Sequence, residues 1–417
     1  MQTNSFTYIS LFSGIGGFEQ ALTQLGGECV FASEINEKAR ESYELLYGDV
    51  PHGDITKIHT DDIPTHDLLV GGFPCQAFSM SGKRKGFEDT RGTLFFDVAR
   101  IAKVKRPRVI LLENVIGLLS HDKKRTIHTI LKTLDEIGYY VDINVLKSSD
   151  YNVPQKRQRL YFVCIRKDLI LNPLATPITK ESGAIRKTLE ADIRNFFNFS
   201  WPQALERTFT VSDKLDDIVH ERYHISIERM TALTPVITPK TVNNPYCIAG
   251  FMTALWIKTY GESIRSRNFR QGYRVYDAHH IGPTVTSSGG GLAGCGGMYL
   301  VKAKKMQGEY TALDIEFGNG IKKVLFPIEG TSLNAPIIDA EENTYYLRRA
   351  TPLESMRLQG FSEASIKKLN ESSLSATEFY KQAGNAVSVP VIKEIALMLL
   401  PFIMSTPSVE STYEKII

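Results

Sequence analysis

Cysteine is scarce in this 417-residue chain, and its few copies are scattered. The five stand apart at Cys29, Cys75, Cys164, Cys247 and Cys295, with no CxxC pair among them. That spacing argues against a disulfide-stapled scaffold and against a structural zinc site, so no metal is expected. Long apolar runs are also missing. The longest, 395–404, is shorter than a membrane span and contains Pro401. The opening residues lack the basic region and apolar core of a secretion signal. Strong net charge is absent too: 49 Lys and Arg against 46 Asp and Glu leave +3. With 42% hydrophobic residues the chain is no disordered polymer. The default expectation is a cytoplasmic protein with no membrane partner, divided into domains of about 100–200 residues each.

What charge there is lies in clusters: Lys83-Arg84-Lys85, 103–108, Lys123-Lys124-Arg125, 156–159 and 265–274. Any one of these reads as a solvated surface. Several flanking one cleft would form a phosphate-binding groove.

Residues 7–166 alternate strand-like and helix-like segments, with apolar runs at 7–12, 29–33, 68–70, 109–112, 140–146 and 160–165. Such alternation predicts βαβ units and a parallel, doubly wound sheet. From about 170 to 345 the periodicity weakens and Pro, Gly, Thr and Asn increase, which predicts a second, smaller, loop-rich domain. Helical patterning returns at 351–358 and 387–400.

Four motifs carry chemistry. Leu11-Phe12-Ser13-Gly14-Ile15-Gly16-Gly17 is a glycine turn between a strand and a helix, where the backbone can approach a nucleotide-like ligand. Its spacing is not G-x-G-x-x-G, so a dinucleotide is not favoured. Glu34 and Asp54 come next, where ribose and adenine need acceptors. Second, Gly71-Gly72-Phe73-Pro74-Cys75-Gln76 sets a thiol just past a strand's carboxyl end, the ligand-binding edge of open α/β sheets. Lowered in pKa, that thiol is a nucleophile; an arbitrary cysteine would be inert and buried. Third, Glu113 in Leu112-Glu113-Asn114-Val115 ends another apolar strand at the cleft rim. Fourth, Gln155-Lys156-Arg157-Gln158-Arg159 precedes a strand, and alternation would put Arg157 and Arg159 on one face, gripping a phosphate or a carboxylate.

In this order, the motifs resemble the DNA (cytosine-5) methyltransferases, in particular bacterial modification enzymes of the HhaI type. The likeness covers 7–166, 348–361 and 382–391. It includes Gly92-Thr93-Leu94-Phe95-Phe96-Asp97, Arg348-Arg349-Ala350-Thr351-Pro352-Leu353-Glu354 and the closing Gln382-Ala383-Gly384-Asn385-Ala386-Val387. A shorter likeness at Gln271-Gly272-Tyr273-Arg274-Val275-Tyr276, Pro283-Thr284-Val285-Thr286 and Gly289-Gly290-Gly291 falls in the family's target-recognition region.

The resemblance implies an α/β fold: a doubly wound, Rossmann-like methyltransferase domain (1–185 plus 378–417), a target-recognition domain (186–347) and a connecting region (348–377). It implies that Cys75 attacks C6 of a flipped-out cytosine, that Glu113 stabilises the ring at N3, and that Arg159 steadies the carboxylate, with Arg157 counted among the catalytic residues. C5 then takes a methyl group from S-adenosylmethionine, leaving S-adenosylhomocysteine, and Cys75 is eliminated. By the same likeness Phe12, Ser13, Gly14, Gly16, Gly17, Glu34, Ile35, Asp54, Ile55, Pro74, Leu94, Asn385, Ala386 and Val387 hold the cofactor. Gln76, Ser79, Ser81, Lys83, Arg91, Gln271, Arg274, Thr284, Gly289 and Gly290 meet double-stranded DNA. A monomer is implied, with any cognate restriction endonuclease not stably bound. Ser10, where many relatives carry an acid, and Leu353, where many carry a base, depart from the pattern, as do the small Ala383 and Ala386.

Rival readings keep the fold and change the role. A tRNA enzyme of this family would be compact where this chain has its long 170–345 stretch. A DNA-binding relative without activity would lack Cys75 or Glu113, and both are present. A small-molecule methyltransferase has no use for the Pro-Cys pair.

Overall fold

The computed structural model describes residues 5–74, 94–170, 197–206, 208–227, 233–235, 248–252, 274–287, 297–317, 320–332 and 334–404. Cys75, Gln76, Ser79, Ser81, Lys83, Arg91, Gln271, Gly289 and Gly290 lie outside them.

Two compact units emerge, one of Met1–Lys147, Gln158–Ala204 and Val387–Ile417, the other of Ser148–Arg157 and Leu205–Ala386. These limits differ from the sequence division: 148–157 and 348–386 group with the second unit. The first of those segments does so because it hydrogen-bonds to 282–285.

The first unit begins β1 (Phe6–Leu11), α1 (Gly17–Leu22), β2 (Gly27–Ser33), α2 (Glu37–Tyr47), β3 (Leu68–Gly71), α3 (Leu94–Lys105) and β4 (Val109–Val115). It continues with α4 (Arg125–Glu136), β5 (Tyr139–Lys147) and β6 (Gln158–Arg166). The sheet order is β2-β1-β3-β4-β6-β5. Strands β1 to β4 run parallel, and Leu68, Leu69, Val70 and Val109 to Leu112 are fully buried because helices cover both faces. The expected parallel, doubly wound sheet is found in β1 to β4, and β6 runs antiparallel to both β4 and β5. The connection 148–157 contains no crossover helix, so the chain can only turn back. Local chemistry sets the helices. Asn36 Oδ1 caps α2 by accepting from Ala39 N at 3.0 Å, and α4 buries Ile127, Ile130, Leu131 and Leu134 at helical spacing.

The second unit carries a sheet of order β12-β13-β15-β10-β9-β8-β7. Its strands are β7 (Leu233–Pro235), β8 (Ile248–Met252), β9 (Arg274–Asp277), β10 (Met298–Lys302), β12 (Tyr310–Phe317), β13 (Gly320–Pro327) and β15 (Thr344–Arg349). A separate pair, β11 (Lys305–Gln307) and β14 (Ile337–Asp339), lies beside them in sequence. Residues 301–346 are thus largely strand. Three helices come after: α5 (Pro352–Arg357), α6 (Glu363–Asn370) and α7 (Ala376–Asn385). Arg348 and Glu354, both buried, meet in a two-pronged ion pair at 2.9 and 2.8 Å. Glu354 also closes a capping box with Thr351 at the start of α5.

The chain then re-enters the first unit as α8 (Val389–Met404), which packs against α1 and buries Ile392, Ile395, Ala396, Leu399 and Ile403. By length and composition the helical stretch Ala376–Met404 could cross a membrane, yet 56% of its apolar window is buried inside the protein, as in a core helix.

Candidate active site

The turn after β1 is built for close approach. Gly14 has a φ of +57° and open space where a side chain would project. Gly16 has a φ of +80°, and a Cβ there would come within 2.2 Å of the Tyr47 ring. Only glycine fits that position. The Tyr47 hydroxyl donates to Gly16 O at 2.6 Å and accepts from Gln20 Nε2 at 3.1 Å, which pins the turn from below. A Cβ on Gly17 would meet Val387 Cγ2 at 2.8 Å, so the Val387 side chain, just before α8, packs directly on the backbone of α1.

At the end of β2 the Glu34 carboxylate accepts from Gly14 N at 2.9 Å and Asn36 N at 2.8 Å. Ile35 beside it is 70% exposed. Asp54 caps the turn at Ile55 by accepting from Thr56 N and Oγ1, and these bonds hold its carboxyl below the usual carboxylate range. Arg100 on α3 braces the same turn, donating to Ile55 O at 3.2 Å and Thr60 Oγ1 at 2.6 Å. A fixed carboxylate for paired ribose hydroxyls, a bare apolar side chain for a flat base and an open glycine turn fit an adenosyl cofactor. Sequence reading missed Tyr47 and Arg100, because nothing in their local spacing ties them to distant loops.

Behind the turn lies a buried group with its own chemistry. Glu19 is 1% exposed and accepts from Tyr43 Oη at 3.2 Å. Burial pushes its carboxyl up to about 7, against the pull of the hydrogen bond from Tyr43. The native state therefore holds a proton that the unfolded chain releases near 4.5. Stability falls as pH rises from about 4.5 to 7 and stays lower above that. Glu19→Gln abolishes this decline: denaturant unfolding shows the variant gaining on the parent by on the order of 3 kcal/mol between pH 4.5 and pH 8. Equal pH slopes for the two proteins would refute it.

At the sheet's other strand ends, β3 leads into Gly72-Phe73-Pro74. Phe73 is buried, with its ring 5.5 Å from that of Phe95 and 6.2 Å from that of Phe162. Asn114 Nδ2 donates to Phe73 O at 2.8 Å. The backbone is thus anchored on both sides up to the residue before Pro74, next to Cys75. Glu113 on β4 reaches the same place: a Cβ on Gly72 would lie 3.5 Å from Glu113 Oε2. Register pairs Val115 with Arg159 across β4 and β6, which sets Arg159 diagonally opposite Glu113. Arg159 Nε approaches Glu113 Oε1 to 2.9 Å, while its Nη1 donates to Gln158 O at 2.8 Å. Arg159 thus holds Glu113 Oε1 in a close ion pair, and Oε2 is the oxygen that faces Gly72.

Arg157 precedes β6 rather than belonging to it, so strand alternation does not apply, and it is 2% exposed. Its guanidinium donates to the carbonyls of Val285, Gly384 and Ala386. Sequence reading set it on one face with Arg159 to grip a phosphate or a carboxylate; among the described residues its guanidinium donates to these three carbonyls. Thr284 donates its hydroxyl to Lys156 O at 2.8 Å, and Arg274 begins β9. Leu94 opens α3 and Asn385 ends α7.

Residues 6–400 match the family described as C-5 cytosine-specific DNA methylase. The chain belongs to that family. This methylase is 33% identical to the orphan methyltransferase M.SPRI of Bacillus phage SPR, covering 93% of this chain and 95% of that one. It is 38% identical to the type II methyltransferase M.HhaI of Haemophilus parahaemolyticus, over 73% of this chain and 80% of the other. In fold, the methylase resembles the Dnmt2 methyltransferase of S. pombe, with a TM-score of 0.57 at 18% identity over 95% and 99% of the two chains. Its activity is methyl transfer from S-adenosylmethionine to C5 of cytosine in DNA.

Proposed function

We propose that this methylase is a DNA (cytosine-5-)-methyltransferase in the sense of EC 2.1.1.37, acting as a monomer on a short, specific sequence of duplex DNA in the cytoplasm. The observation that supports the reading is the meeting of Glu113 and Arg159 beside Gly72, on the turn that leads in sequence to Pro74-Cys75. S-adenosylmethionine supplies an electrophilic methyl group when bound. The chain's residues do the rest. The target base must leave the stack, at an unstacking cost of about a few kcal/mol, to reach them. Cys75 as thiolate bonds to C6, and the electron pair displaced moves toward C5 and N3. Glu113 hydrogen-bonds N3 and shares a proton with it as charge develops there, and Arg159 holds the carboxyl in place. C5 bonds to the methyl group as the methyl–sulfur bond breaks, leaving S-adenosylhomocysteine. Solvent water takes the C5 proton, that bond's electron pair re-forms the C5–C6 double bond and expels Cys75 as thiolate, and Glu113 recovers the proton shared with N3.

In this reading Phe12, Ser13, Gly14, Glu34, Ile35, Asp54, Ile55, Leu94 and 385–387 hold the cofactor, and Arg274 and Thr284 approach DNA. The recognition domain lies within 186–347. Any partner endonuclease is a separate protein, and relatives named both type II and orphan support either setting.

The test is incubation with S-adenosylmethionine and unmethylated genomic duplex, then base-resolution sequencing for 5-methylcytosine. One recurrent context is expected. Cys75→Ala abolishes transfer, a loss of at least about 10⁴-fold, and leaves duplex binding in a gel-shift assay within about threefold. Methylation by Cys75→Ala at a tenth of the parent rate would overturn the mechanism. Methylation of tRNA alone would move the substrate to RNA.

A further inference from the structure

The segment Gln155-Lys156-Arg157 has two kinds of partner. On one side it holds residues 282–285. Lys156 N donates to Gly282 O and Gly282 N to Pro154 O, each at 2.9 Å. Thr284 Oγ1 donates to Lys156 O, and Val285 N to Gln155 Oε1 at 3.0 Å. On the other side it holds the end of α7. Gln155 Nε2 donates to Gln359 Oε1 at 2.9 Å, and Gln359 Nε2 in turn donates to Ala383 O at 2.6 Å. Arg157 closes the ring, with Nη1 donating at 3.1 Å to Val285 O and to Gly384 O, and Nη2 donating at 2.8 Å to Ala386 O. The two sides also touch directly: a Cβ on Gly384 would lie 2.1 Å from Ser287 N.

Apart from the half-buried Thr284, these groups are main chain or buried side chains. Gln155 and Gln359 are fully buried and Arg157 nearly so. A planar guanidinium bridging three carbonyls fixes their relative positions in a way that no point charge can. One residue further on, Val387 packs on Gly17 at the cofactor turn.

We infer that Arg157 is a positioning residue that makes 282–287 and the closing turn 383–386 one ordered element, so that duplex DNA and cofactor rely on the same ordering. The inference rests on the reading above, in which Thr284 approaches the DNA backbone and 385–387 the cofactor. Its consequence is a particular pattern of affinities. With the element preformed, neither ligand has to order it. With the clamp loosened, whichever ligand binds first must order it, and the second finds it already in place.

The experiment measures dissociation constants of S-adenosylhomocysteine and of mixed-sequence unmethylated duplex, each alone and each with the other saturating. In Arg157→Lys both binary constants rise about tenfold, while each constant measured with the other ligand saturating stays within about twofold of the parent. Equal weakening in the presence and absence of the second ligand overturns the inference, and so does weakening for one ligand only or for neither. A direct contact or a loss of folded protein gives one of those results. Should Arg157→Lys fail to fold, Gln359→Leu cuts the link from Gln155 to Ala383 while leaving Arg157 in place, and the same pattern is expected at a smaller amplitude. If the parent protein binds neither probe or methylates no DNA, the functional reading fails. If the parent does both and the pattern is absent, only this inference fails.

Discussion

Glu113→Gln lowers the single-turnover methylation rate by about 10²- to 10⁴-fold and leaves the duplex dissociation constant within about threefold. The amide keeps the shape of the carboxyl but neither shares its proton nor balances charge on the pyrimidine. Folding survives the change, because Arg159 stays partly accessible and keeps its bond to Gln158 O. The neighbouring Asn114–Phe73 bond does not involve the carboxyl. A rate within tenfold of the parent would remove Glu113 from the chemistry.

The largest stability effect is expected at Glu354. Both of its oxygens serve Arg348, one also accepts from Asp216 N and the other from Thr351 N. Neither Arg348 nor Glu354 is reached by solvent to any useful extent, with side chains 2% and 0% exposed. Glu354→Ala strands a buried guanidinium and costs about 3–5 kcal/mol. For a unit of this size that lowers the melting temperature by roughly 10 °C. The paired replacement Arg348→Met with Glu354→Leu loses distinctly less than the two single changes summed, because it leaves no orphan charge. A loss below 1 kcal/mol for Glu354→Ala would show that water or another cation reaches the arginine.

Much of the first unit could be read from the sequence, for a simple reason. Its central strands are continuous apolar runs ending in glycine, Glu113 or the Pro-Cys turn, and the ends of such strands are where ligands bind. Hence Glu34, Gly14 and Glu113 stood out. The features that escaped depended on contacts distant in sequence. Tyr47 supports Gly16 from 31 residues away. Arg157 was misplaced because alternation was applied one residue before the strand begins. The second unit's strands hid for another reason. β13 exposes one end and buries the other, so its pattern changes halfway and shows no clean period of two. In β10 the first four residues are all buried, which reads as neither strand nor helix in so short a run.

The reversal of β6 has a consequence for how such a site can be assembled. In a sheet whose strands all point one way, only the carboxyl end of each strand reaches the ligand-binding edge. The residues that open a strand lie at the far side, about 20 Å off for a seven-residue strand such as β4. Turning one strand around brings its first residues to that edge. Arg159 arrives there on rigid backbone, in register with Val115, instead of on a loop. The inverted strand therefore gives the chain a second source of fixed functional groups at one rim: entrances as well as exits. An insertion between β5 and β6 that shifted this pairing by two residues would carry the arginine about 7 Å from Glu113 while leaving every parallel strand in place.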